Sequence, residues 1–445
     1  MSDHAAALSG QQEQLANLPA GQPFALTGAT LIHEDGTQST ADMVVGADGR
    51  FAAVGAGAAA TVKDTHIPCI SLAGLLVSPG FVNAHQHLDK TGVLRFAPNP
   101  SGTLQGARDA FAEYARTAGP HDLYKRASQT IGRCLARGTT AIRSHINVDK
   151  NTGLDGIQTL ADIRGQIKNR VTLQLVAFMT PHPGQDFAWL AENLPRAAAL
   201  ADVVGGTPAV SEDPPRYLDM LFAAAEKAGK PVDLHLDEHL NADVQLMDAA
   251  LDRVARFGMQ GRTVFSHISV LSALPRTTFE RIMQRMLELD VGAVTLPPAN
   301  LYLQGREFDV LPPRGLTRVA ELARGGVTLA TATDNIQDPF VPTGSGDMLE
   351  IARWTVLAGH LRGDELAAAH RMITTAPARL MGLDGYGLRT GARADFIVTD
   401  CADTDTLVAG GPDNYCVFAN GRQVAQTRVV QSEMTPSANR QAVIV

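Results

Sequence analysis

An α/β fold, a (β/α)8 barrel flanked by a small β domain, is the class that the sequence predicts, and three observations carry it. Short apolar runs alternate with amphipathic stretches through the middle of the chain, at a spacing that favours a barrel over an open doubly wound sheet. The amphipathic stretches end in a Gly or Gly-Lys step before the next run, as helix C-termini do in βα units. Several apolar runs then end in His or Asp, and in a barrel the working residues sit at the C-terminal ends of the strands. At 445 residues the chain has room for one large barrel and an accessory unit.

In chain order, residues 1–22, MSDHAAALSGQQEQLANLPAGQ, are polar and are expected to form a loose N-terminal segment. Residues 23–78 read as short strands, FALTGATLIHE, ADMVVGADGRFAAVG and HIPCISLAGLLVSPG, with Asp-Gly turns at 35–36 and 48–49. Residues 79–385 carry the barrel pattern. Its strands after the first are TTAIRSHI, VTLQLVAFM, PVDLHLDE, RTVFSHI, GAVTLP and VTLATATD, with helices such as DLYKRASQTIGRCLARG and PPRYLDMLFAAAEKAGK between them. Residues 386–430 return to the style of the N-terminal strands in GLRTGARADFIVTD and YCVFANGRQVAQTRVV, so the two ends are expected to complete one β domain. Residues 431–445 form a C-terminal extension to which the pattern assigns no role.

Composition narrows the function. Hydrophobic residues at 45% and charged ones at 19% fit a globular protein with a large core. A net charge of -8 leaves no concentrated Lys and Arg for a nucleic-acid backbone, so a small-molecule partner is expected and no nucleic acid. Cys69, Cys134, Cys401 and Cys416 form no CxxC pair, which points to buried thiols rather than disulfides or a thiolate zinc site. The sequence has neither a signal-peptide pattern nor a window of about eighteen uncharged apolar residues, so a cytoplasmic protein without a membrane partner is expected.

The chemistry lies where the runs end. His85 and His87 stand two apart on one strand, so both imidazoles share a face and can hold one cation. Alone the pair reads equally well as two loop histidines. His235 then adds a third nitrogen and Asp334 an oxygen, which leaves a position open for water. A divalent cation acidifies that water, and the hydroxide becomes the nucleophile. Glu238, three residues after His235, falls where strand turns into loop and is expected to shuttle a proton from the water to a leaving amine. His267, at another strand end, is expected to donate a hydrogen bond to the tetrahedral centre. His145 is balanced between a supporting and a structural role; His239 and His182 read as loop residues, with His182 able to line the mouth. No lysine appears in VTLQLVAFM, where a carbamylated lysine would bridge two ions, so one ion is expected. A set of three histidines and one aspartate suits zinc and iron alike.

SPGFVNAHQHLDKT, AIRSHINVD, LQLVAF, HLDEH, SHIS, TDNIQDPFVPTGSGDML and GLRTGARADFIV together resemble the amidohydrolase superfamily, and within it the cytosine deaminase branch, along nearly the whole chain. The resemblance implies a distorted barrel, a β-sandwich built from both chain ends, one zinc or iron ion per subunit and a homo-oligomer. It carries the family's metal ligands onto His85, His87, His235 and Asp334, its proton shuttle onto Glu238 and its catalytic histidine onto His267. TDNIQDPFVPTGSGDM is also similar to a segment of the N-isopropylammelide aminohydrolases, which act on triazines.

Two departures from the cytosine branch bear on the substrate. Cytosine deaminases carry a glutamine after the VAF strand that reads the pyrimidine amide, whereas Met179 and Thr180 follow here. Asn335 stands in place of a second aspartate, and Phe340 in place of a tryptophan. Asp89, Thr180, His182, Asn335 and Phe340 are the expected substrate contacts. The expected function is hydrolytic deamination of an amino-substituted nitrogen heterocycle, cytosine-like or related. The HxxE pattern favours this over triazine N-alkyl hydrolysis or cyclic-amide ring opening on the same scaffold. A non-catalytic assembly protein would have lost site residues, and all six are present.

Overall fold

The computed structural model describes residues 3–19, 21–63, 65–181 and 187–429. In chain order its strands are β1 Phe24–Ile32, β2 Gln38–Val45, β3 Phe51–Gly55, β4 Cys69–Ser71, β5 Leu76–Pro79, β6 Phe81–Gln86, β7 Thr139–Val148 and β8 Thr172–Met179. They continue with β9 Val203–Gly206, β10 Val232–Leu236, β11 Thr263–His267, β12 Gly292–Thr295, β13 Leu329–Thr331, β14 Phe396–Thr399, β15 Asn414–Ala419 and β16 Arg422–Arg428. β6 to β13 pair in chain order, every neighbour parallel. A bridge from Gln86 to Asp334 joins the last strand's exit to the first strand, with the Asp334 amide donating to His85 O at 3.0 Å. This is a distorted (β/α)8 barrel.

Helix Pro214–Ala228 shows how sequence makes each crossover. Asp213 caps it by accepting from the Arg216 amide at 3.1 Å, Pro214 starts it, and Gly229 ends it in the left-handed conformation. Tyr217, Leu218, Leu221, Phe222 and Ala225 are its buried face, at helical spacing. β9 escapes the sequence pattern because it is only VVGG. Its glycines are imposed by packing: a Cβ on Gly205 would lie 2.4 Å from Asp233 O of β10.

The remaining strands form a second sheet in the order β16-β15-β14-β5-β1-β2-β3, with β4 on β1. Both chain ends meet where β14 pairs antiparallel with β5. The sheet folds over on itself as a sandwich. Phe51 of β3 and Phe396 of β14, far apart in strand order, have ring centroids 5.7 Å apart, and Phe24 and Phe418 are 6.1 Å apart. Asn420 and Gly421, both at positive φ, make the two-residue turn between β15 and β16.

Two expectations are corrected. The N-terminal stretch is not loose: Asp3–Ala16 is a helix, Leu15 is fully buried in the sandwich core and Gln12 Nε2 donates to Thr427 O at 3.0 Å. Two leucines, Leu8 and Leu15, among Ala, Gln and Ser are too few to display an apolar stripe in the sequence. Cys69 is an exposed thiol, since β4 turns that side chain outward, while the other three cysteines are buried. Residues 431–445 lie outside the described residues. Among the described residues, no helix is long and apolar enough to cross a membrane.

Candidate active site

At the C-terminal end of the barrel the four predicted ligands converge. His235 Nε2 lies 3.2 Å from His85 Nε2 and 3.0 Å from His87 Nε2. Asp334 Oδ1 lies 3.5 Å from His85 Nε2 and 3.3 Å from His87 Nε2. Four donors on a tetrahedron with bonds of about 2.1 Å would be about 3.4 Å apart. Asp334 Oδ1 is buried without a hydrogen-bond partner, as expected of an atom that faces a cation. The residues present therefore fit one divalent ion. Two of the strand exits use left-handed backbone at non-glycine residues, His267 (φ 69°) and Asp334 (φ 57°), a strain of about 1–3 kcal/mol each that concentrates at functional sites.

The layer beneath sets which nitrogen of each ring faces the centre. His85 Nδ1 is 2.9 Å from Ser266 Oγ, whose hydroxyl donates to Asp233 Oδ1 at 3.0 Å, so Nε2 keeps its lone pair. His87 Nδ1 lies between His145 O at 3.1 Å and Lys90 Nζ at 2.9 Å. Asp233 also accepts from Arg143 Nη1 at 2.8 Å, and Arg143 reaches Gln174 Oε1 and Leu380 O. His145 stacks on His85 with centroids 3.9 Å apart and points Nε2 at Asp233 Oδ1, 3.3 Å away. It supports the site from below.

Charge follows this layout. Burial, then the positive charge of Lys90, lowers His87 to about 4. Burial would raise Asp334, but the imidazoles of His85 and His87 facing it outweigh that and hold the carboxyl well below the usual range. Burial lowers His267 to about 3, so the ring is neutral. Its Nδ1 is 3.2 Å from Asn300 Nδ2, a donor, which leaves Nε2–H directed toward Asp334 Oδ2, 3.9 Å away. Glu238 Oε1 is 3.6 Å from His267 Nδ1. Burial, then the charge of Asp334, raises its carboxyl to about 8.

His87, His235, Glu238, His267 and Asp334 line one end of a cavity of about 370 Å³. Thr180, Asn335 and Phe340 line it too, together with Phe178. Thr180 Oγ1 donates to Phe178 O, and Asn335 Nδ2 donates to Asp338 Oδ2 at 2.7 Å. Asp89 is turned elsewhere: it accepts from the Asn147 amide at 3.0 Å and from Lys90, and it does not line this cavity. His182 lies outside the described residues. His239 faces Asp237 at 3.5 Å, and Asp237 anchors the loop by accepting from the Leu246 amide. Sequence reasoning missed Ser266, Asp233 and Arg108. Asp233 follows from period 2, since it precedes His235 by two on β10, whereas Ser266 is adjacent to His267 and carries no such signal; Arg108 stands on the inward stripe of a helix, which the pattern LQGARDAFAEYA displays.

Known proteins resemble this chain in sequence and in fold. The sequence model of the amidohydrolase family matches residues 181–424. A pterin deaminase of Rhizobium rhizogenes is 30% identical over 352 residues, 78% of this chain and 80% of that protein. An N-isopropylammelide isopropyl amidohydrolase of Pseudomonas sp. is 27% identical over 382 residues, covering 83% and 90%. The crystal structure of 5-methylcytosine deaminase from Klebsiella pneumoniae liganded with 5-fluorocytosine superposes with a TM-score of 0.84 at 26% identity, covering 93% of this chain and 100% of that one.

Proposed function

This chain belongs to the amidohydrolase family, a family of hydrolases acting on C–N bonds, and from that premise we propose that it is a metal-dependent deaminase of an amino-substituted pyrimidine or pterin-like ring. The observation that carries the proposal is that Glu238, its carboxyl raised to about 8, shares one cavity with His87, His235, His267 and Asp334. A divalent cation held by His85, His87, His235 and Asp334 would supply Lewis acidity and a water acidic enough to react near neutral pH. Its charge would also favour the Glu238 carboxylate, which takes a proton from the attacking water and returns it to the amine nitrogen. The ring carbon gains oxygen, its C–N bond breaks and ammonia leaves. His267, neutral and with Nε2–H facing the centre, donates to the group that develops charge, and Asp334 stays ionised throughout. Phe178 and Phe340 offer apolar faces for the ring, while Thr180 and Asn335 supply its polar contacts.

Ammonia release from a panel of aminated pyrimidines, pterins and triazines tests this. We expect stoichiometric ammonia and an intact oxo ring from at least one pyrimidine or pterin. Release of alkylamine alone would favour the triazine reading, which the 27% identity to the Pseudomonas protein supports. A ring-opened acid as the sole product would overturn deamination. A homo-oligomer, implied by the family resemblance, is part of the same proposal and is read by light scattering.

A further inference from the structure

Arg108 sits on helix Leu104–Ala115, which Thr103 caps by accepting from the Gly106 amide at 3.1 Å. Leu104, Ala107, Arg108 and Phe111 fall on one stripe at spacings of three and four, and Ala107 and Phe111 are buried. That stripe is apolar except for the arginine. Leu104, Arg108 and Phe111 all line the cavity that holds Glu238 and Asp334.

The guanidinium forms no hydrogen bond or ion pair among the described residues. The charges that act on it are Glu238, whose carboxyl is raised to about 8, and Asp109; the other acids of the cavity are Asp149 and Asp334. Asp109 accepts from Gln105 Nε2 at 2.9 Å, Asp149 caps its own loop through the Asn151 and Thr152 amides, and Asp334 belongs to the cage. The other cations nearby are held: Lys90 Nζ donates to Asn147 Oδ1 at 2.8 Å, and Arg126 donates to Asp122 and to Thr91 O. An arginine cannot shed its charge, so a half-buried one with no direct partner among the described residues costs stability. Five donors in a planar fork match a planar anionic edge, and such charge-assisted pairs are the strong ones.

We propose that Arg108 is a specificity-determining residue of this cavity, binding an acidic planar edge of the substrate, either a carboxylate substituent or the ionised amide edge of the ring itself. This rests on the deaminase reading of the same site. It makes the preferred substrate an anionic amino heterocycle, and it gives the pocket a polar contact at a position other than the one that cytosine deaminases fill with glutamine.

The test pairs each ring with its carboxylated form: cytosine with 5-carboxycytosine, and pterin with pterin-6-carboxylate, on the metal-loaded protein and its Arg108→Met and Arg108→Lys variants. For the ring that Arg108 holds, we expect KM to rise about 10- to 100-fold in Arg108→Met with kcat changed far less, and a smaller rise in Arg108→Lys, which keeps the charge and loses the fork. A rise confined to the carboxylated rings assigns the contact to the substituent; an equal rise for the parent rings assigns it to the amide edge. Equal loss of kcat on all four rings with KM unchanged overturns the proposal, since Arg108 would then act only through Glu238. Calorimetric binding of the deaminated products, uracil, lumazine and their carboxylates, reads the contact without turnover. Product binding that weakens in Arg108→Met supports the proposal even if no ring is deaminated, and failure of every carboxylated product to bind the wild type overturns it.

Discussion

Inside the barrel two polar layers, two residues apart on β10 at Asp233 and His235, follow opposite rules. In the lower one, Arg143, Gln174, Asp233 and Ser266 combine donors with acceptors and satisfy one another. In the upper one, His85, His87, His235 and Asp334 turn acceptor atoms toward a common point, and Asp334 Oδ1 has no partner. Buried polar groups selected for stability are paired. A layer that leaves acceptors facing each other is completed by something the chain does not contain, and the lower layer exists to hold it in that orientation.

Substitutions in the two layers should therefore fail differently. The largest effect is expected at the edge of the upper layer: Glu238→Gln should lose about 10³-fold or more in kcat, the range of a positioned acid–base group, with metal content and melting temperature preserved. Next comes the lower layer. Arg143→Met leaves the Asp233 carboxylate buried without its cation and should cost about 3–5 kcal/mol in urea unfolding. Stripping the ion with a chelator should lower stability by about 3 kcal/mol relative to protein in hundredfold excess of metal over Kd, an effect on the upper layer only. The smallest effect concerns pH. In metal-free protein Glu238 ionises near 8, well above its unfolded value, so the fold holds a proton that the unfolded chain has lost. Stability from this group is present at acid pH and is lost as pH rises through 8. Glu238→Gln should remove that slope and leave metal-free protein about 2 kcal/mol more stable than wild type at pH 6 and unchanged at pH 4, measured by urea melts.

How far the sequence foretold each region depends on what sets it. Strands such as TTAIRSHI and VTLQLVAFM are long β-branched runs, so burial on both faces reads directly from composition. VVGG has no such signature because neighbouring backbone, through Gly205, decides it. His85, His87, His235 and Asp334 were legible because strand ends in a barrel share one rim, so residues distant in the chain can be assembled on paper. Asp89 was not, because its partner, the Asn147 amide, belongs to the next strand and is found only when the loop folds back. Arg108 carried a signal, a charge on an apolar stripe, but the stripe has meaning only once the helix is seen at the barrel mouth.

Metal content by plasma mass spectrometry tests the contrast between the layers most directly. We expect one zinc or iron ion per chain in the wild type, near-complete loss in His235→Ala and Asp334→Ala, and full retention in Glu238→Gln despite its lost turnover. Two ions per chain in the wild type, or wild-type metal content in His235→Ala, would contradict a single centre built on the four upper-layer side chains.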